Sequence, residues 1–110
     1  MNPKNIDIPL EKIKDFCIRW QINELSLFGS VLRTDFRPDS DVDIIVRFDV
    51  SANPTFSSLE AMETELENIF VRKVDLITYQ GIENSLNYLR RKEILSSAKV
   101  IYAKRHSIPT

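Results

Sequence analysis

Glycine is scarce in this chain, with Gly29 and Gly81 the only two in 110 residues. Cysteine and histidine are scarcer, each present once, as Cys17 and His106. A single cysteine makes no internal disulfide, which argues against a small disulfide-stapled scaffold and fits a reducing compartment. A single histidine, six residues or fewer from the end of the sequence, argues against a histidine-based zinc site or a histidine general base. Charge of one sign is missing too. Fifteen Lys and Arg against sixteen Asp and Glu leave a net charge of −1, so nothing demands nucleic acid or an anionic membrane as the main partner. Long hydrophobic runs are absent, and no stretch approaches the ~20 apolar residues needed to span a bilayer. The N-terminal segment is broken by Glu11, Lys12, Lys14 and Asp15, where a secretory signal needs an unbroken apolar stretch. The expected location is the cytoplasm.

What is present is an ordinary globular mixture. Hydrophobic residues make up 43% and charged residues 28%, which excludes an intrinsically disordered chain and supports one core. The chain reads as a single domain over residues 1–104 with a C-terminal tail at 105–110. Leu10, Ile13, Phe16, Cys17 and Trp20 recur at helical spacing and predict an amphipathic helix over about 9–20, with Cys17 and Trp20 in the core. Leu25 to Phe28 reads as a short buried strand that stops at Gly29. Residues 33–40 are polar, contain Pro38 and read as a loop. Asp41 to Phe48 is the clearest strand, rich in valine and isoleucine.

The next helix is expected to start at Ser57, as N-cap of a capping box completed by Glu60, and to run to Phe70. Val74 to Tyr79 follows as a strand, with Gly81 ending its turn. One helix is expected over 82–98, turning Leu86, Leu89 and Ile94 inward and Arg90, Arg91 and Lys92 to solvent. Val100 to Ala103 is the last strand. The order α-β-β-α-β-α-β predicts an α/β (α+β) layer fold, a small mixed sheet of about four strands covered by helices.

The chemistry gathers in one stretch. Asp41 and Asp43 fall on one face of their strand, because side chains repeat with period two. Carboxylates so placed repel one another unless a cation lies between them, and hard divalent cations prefer such oxygen ligands. Asp75 opens a later strand. Beside the first pair it completes three carboxylates, enough for a two-metal site with ions ~3.5–4 Å apart, suited to phosphoryl or nucleotidyl transfer. Gly29-Ser30, at the end of the preceding strand, offers backbone N–H groups and a hydroxyl to phosphate oxygens. Ser30 also suits a helix N-cap, and the two roles are compatible. Arg33 suits either a loop-ordering ion pair or a phosphate contact. Asp-x-Asp by itself is a common surface pattern; it gains meaning from Gly29-Ser30 upstream and Asp75 downstream.

Gly29-Ser30, ten residues, Asp41-Val42-Asp43, and then Asp75 on a later strand resemble the signature of the polymerase-β-like nucleotidyltransferase superfamily. The chain is most similar to its small single-domain members, the minimal nucleotidyltransferases (MNT), which commonly serve as antitoxins in HEPN–MNT toxin–antitoxin pairs. The resemblance implies that Asp41, Asp43 and Asp75 hold Mg²⁺, two ions in all, with Asp75 also activating the attacking hydroxyl. It implies that Gly29, Ser30 and Arg33 bind the triphosphate. The implied reaction moves AMP from ATP to a hydroxyl, a tyrosine of a cognate HEPN RNase toxin, in a hetero-oligomer that involves neither membrane nor direct nucleic-acid contact. Leu32 and Thr34 depart from the pattern, since many relatives carry a small residue and a glycine there. Two alternatives remain open: an antitoxin that acts by binding alone, and a nucleotidyltransferase acting on a small-molecule hydroxyl.

Overall fold

The computed structural model describes residues 8–29, 41–84 and 86–104. The elements run α1 (Leu10–Arg19), β1 (Ile22–Phe28), β2 (Val42–Phe48), α2 (Phe56–Phe70), β3 (Val74–Thr78), α3 (Tyr79–Glu83), α4 (Tyr88–Ser97) and β4 (Lys99–Ala103). The strands form one sheet in the order β3-β2-β1-β4. β1 is antiparallel to both β2 and β4, whereas β2 and β3 are parallel. This is the small mixed sheet that the sequence predicts. Among the described residues no helix is long and apolar enough to cross a membrane.

Strand alternation divides the apolar residues between two cores. Leu25 and Leu27 of β1 and Val42, Ile44 and Val46 of β2 face Ile13, Phe16 and Cys17 of α1 and Met62, Leu66 and Phe70 of α2. On the other face Phe28 and Ile45 pack with Ile82 of α3 and Ile94 of α4 in a much smaller cluster. The second face runs out of apolar residues toward the start of β2, and that end carries Asp43.

Two ties hold α2 to the edge strand β3. Glu67 accepts the Val74 N–H at 3.2 Å, and Glu63 accepts the Leu76 N–H at 3.3 Å. These carboxylates satisfy donors that an edge strand leaves unpaired. They also fix the backbone on both sides of Asp75. On the other side of the molecule, Arg19 pairs with Glu65 of α2, and the half-buried Trp20 indole donates to the same carboxylate at 3.0 Å. Trp20 is therefore a tether at the core's rim rather than fully interior.

Several expectations need correction. The N-cap of α2 is Thr55, not Ser57: its hydroxyl accepts the Ser58 N–H, so the helix starts two residues early and Glu60 completes no capping box. β1 begins at Ile22, three residues before the apolar run that marks it in the sequence. The helix expected over 82–98 is two helices. Thr78 caps α3 by accepting the Gly81 N–H at 2.9 Å, which puts Gly81 inside a helix rather than at the end of a turn. Asn87 then starts α4 afresh by accepting the Arg90 N–H at 3.0 Å, a role asparagine fills well. The break rotates the apolar positions apart. Ile94 is 5% exposed, but Leu89 is 75% exposed and Leu86 is fully exposed.

Cys17 lies wholly inside the larger core. Burial pushes its thiol up to about 12, because the thiolate has nothing to solvate it there. At pH 8 the folded protein should resist a thiol-specific reagent, and the rate of modification should track unfolding as urea is added. Rapid stoichiometric labelling in native buffer would show that the thiol is accessible.

Candidate active site

The register sets three strand ends in a row. Phe28 lies opposite Asp43 across the antiparallel β1–β2 pair, and Asp43 lies opposite Asp75 across the parallel β2–β3 pair. Neighbouring strands lie about 4.8 Å apart, so the two carboxylates start from adjacent backbone positions on one face. Asp43 is part-buried, whereas Asp75 and Asp41 are exposed. Asp41 stands one residue before β2, whose first N–H donates to Lys73 O at 2.8 Å, joining the starts of β2 and β3.

Gly29 closes the row. Its φ is +77°, and a Cβ built on it would sit 2.3 Å from Asp43 Oδ2. Positive φ alone does not demand glycine in this chain, because Gln21 and Val71 also adopt it, at 58° and 57°. The close approach demands it. Only a residue without a side chain lets the Asp43 carboxylate lie against the end of β1.

Between this row and α4 lies an open cleft of about 720 Å³. Phe28, Gly29, Asp43 and Asp75 form its sheet wall; Asn87, Arg90, Glu93 and Ser97 line the α4 wall. The volume is within the ~300–1,000 Å³ usual for small-molecule sites. The structure thus gathers Gly29, Asp43 and Asp75 of the predicted site into one cleft and sets Asp41 beside them in sequence but outside its lining. Ser30 and Arg33, with Leu32 and Thr34, lie outside the described residues, as does His106. Sequence reading missed the α4 wall. Arg90 and Glu93 carry no motif, and one continuous helix gave no reason to aim them at Asp43.

Among the described residues, no three His, Cys, Asp or Glu side chains are drawn together closely enough to hold a metal ion. The donor chemistry nonetheless fits a hard divalent cation. The donors are oxygens only, one carboxylate stands on each of two neighbouring strands, and the absent Cβ of Gly29 lets the Asp43 carboxylate lie against the end of β1.

The contact between positions 29 and 43 is measurable as a coupling. Gly29→Ala should cost the folded protein about 1–2 kcal/mol for φ alone, plus the displacement of the carboxylate. In an Asp43→Ala background that second cost should vanish, giving a coupling of about 1 kcal/mol in a double-mutant cycle by urea denaturation. Strict additivity would mean that the two positions do not touch.

The pattern of the Nucleotidyltransferase domain family matches residues 10–102. A candidate protein adenylyltransferase of Methanocaldococcus jannaschii is 31% identical over 94 residues, which cover 86% of this chain and 95% of that protein. Another from the same organism is 39% identical over 66 residues, covering 60% of this chain and 66% of that protein. Among solved structures, one described as a minimal nucleotidyltransferase superposes with a TM-score of 0.63 at 28% identity, over 82% of this chain and 86% of that one. A toxin–antitoxin structure containing AMP-PNP gives 0.67 at 17% identity, over 89% and 76% of the two chains. A Shewanella oneidensis complex of tri-AMPylated HEPN toxin with MNT antitoxin gives 0.59 at 18% identity, over 86% and 70%. At such identities the last two speak for the fold alone. By the extent of the family match and by its sheet and helices, the chain belongs to the nucleotidyltransferase-domain family, as a minimal nucleotidyltransferase.

Proposed function

We propose that this nucleotidyltransferase transfers AMP from ATP to a tyrosine hydroxyl of a cognate HEPN toxin in the cytoplasm, and so acts as its antitoxin. The observation that carries the reading is the convergence of Gly29, Asp43 and Asp75 on one cleft of nucleotide size. Support for a protein acceptor comes from the relatives named as adenylyltransferases and from solved neighbours that are toxin–antitoxin assemblies, one with its toxin AMPylated.

Asp41 and Asp43 would hold magnesium, with Asp75 completing the set from the adjacent strand. Magnesium, when bound, would screen the triphosphate and favour attack at its α-phosphorus. The residues at positions 29 and 30 would present backbone N–H groups to the phosphate oxygens, with Arg33 adding charge. Asp75 would take the proton of the acceptor hydroxyl as that oxygen bonds to the α-phosphorus. The bond from the α-phosphorus to the oxygen bridging it to the β-phosphate then breaks, and pyrophosphate leaves. The ties from Glu67 and Glu63 to Val74 and Leu76 hold Asp75 steady for that transfer.

Intact-mass spectrometry tests the proposal. The chain and the protein encoded beside it are purified, mixed with Mg-ATP and weighed. The partner should gain one or more AMP units, and the gain should disappear with Asp41→Asn. Asp41 is exposed, so that variant should keep its circular dichroism spectrum and melting temperature. An unchanged partner mass with a stable complex would instead establish neutralisation by binding. Transfer to an added small alcohol but not to the partner would establish a small-molecule transferase.

A further inference from the structure

The α4 wall of the cleft carries three consecutive basic residues, Arg90, Arg91 and Lys92, and the structure gives them different work. Arg91 turns back on the fold. It donates to Glu83 O at 3.1 Å, at the end of α3, and its guanidinium lies 5.4 Å from the centroid of the Tyr88 ring. Lys92 is exposed and outside the cleft lining. Arg90 lines the cleft opposite Asp43 and Asp75.

Among the described residues, Arg90 is the arginine whose guanidinium meets no partner. Arg19 pairs with Glu65, Arg47 lies beside Glu24 and over the Tyr79 ring, and Arg72 is engaged too. Arg90 is exposed, and its guanidinium stands available to an anion that enters the cleft. The described lining holds three acids, Asp43, Asp75 and Glu93, and Arg90 is its one cation. A polyphosphate entering that lining meets two carboxylates on the sheet wall and one on the α4 wall, against the single cation Arg90. The first turn of α4 adds to the attraction. Asn87, its N-cap, also lines the cleft, so the positive end of the helix dipole opens there.

We propose that Arg90 binds the polyphosphate of the nucleotide from the α4 wall, across the cleft from the carboxylates. It is a substrate-binding residue outside the Gly-Ser and Asp-x-Asp signature, on a helix whose separate start at Asn87 aims it. The inference rests on the cleft being a nucleotide site. Bidentate guanidinium–phosphate bonds account for arginine at the position, and a lysine there would serve only in part.

The test is calorimetric titration with AMP-PNP in excess magnesium, using the whole chain. Arg90→Ala should weaken binding about tenfold or more, the scale of a lost charge-assisted hydrogen bond. Arg90→Lys should recover part of the loss. Lys92→Ala removes the same charge from the same helix but outside the cleft, and should change binding less than about threefold at physiological salt. Arg90→Gln, which keeps the stem, guards against a packing effect, and all variants should melt with the wild type. Equal effects of Arg90→Ala and Lys92→Ala, or none from either, would overturn the role of Arg90 while leaving the nucleotide site standing. A wild-type chain that binds no AMP-PNP would overturn both.

Discussion

The corner of the sheet where β1 ends against β2 depends on the absence of one atom. Asp43 Oδ2 occupies the space that a Cβ on residue 29 would need. Remove that freedom and either β1 must end differently or the carboxylate must leave the row it shares with Asp75. The left-handed backbone alone would be tolerable, as Gln21 and Val71 demonstrate in the same chain. A chain with two glycines has thus placed one of them where the backbone passes within contact distance of a carboxylate.

The rest of the fold holds that corner in place. The larger core, built from α1, α2 and the inner positions of β1 and β2, fixes the register that sets Phe28, Asp43 and Asp75 side by side. α2 contributes twice, through its buried Met62, Leu66 and Phe70 and through two carboxylates that hold the edge strand on either side of Asp75. The smaller core does less packing and more aiming. Ile94 anchors α4 to Phe28 and Ile45, and that anchorage brings the helix's polar side over the row. The packing thus lies mainly on one side of the sheet, and the chemistry we propose lies on the other.

Much of this was legible in the sequence, and the reasons are physical. Asp43 was readable because it shares one strand face with Asp41, with Gly29-Ser30 upstream and Asp75 downstream, and Gly29 because so few glycines are available. The small sheet covered by helices followed from the order of the elements. The break between α3 and α4 was not legible. Residues 82–98 have apolar spacing good enough for one helix, and the competing signal is a cap at Asn87 whose Oδ1 takes the Arg90 N–H. Missing that cap hid Arg90 and Glu93, because their direction depends on where the helix starts. The α2 cap was misread for a related reason: Thr55 and Ser57 are both good caps, and their side chains alone do not decide between them.

The central claim is that the row of Gly29, Asp43 and Asp75 is where a metal–nucleotide complex sits. The most direct measurement is an amide NMR spectrum of the ¹⁵N-labelled chain with substoichiometric Mn²⁺ and AMP-PNP, since a paramagnetic ion broadens only what lies near it. The account predicts broadening centred on Gly29, Asp43 and Asp75, extending to the first turns of α4 and sparing Arg47 near the end of β2 and Tyr79 at the start of α3. Broadening centred on Arg47 and Tyr79, or spread evenly over the surface acids, would contradict it.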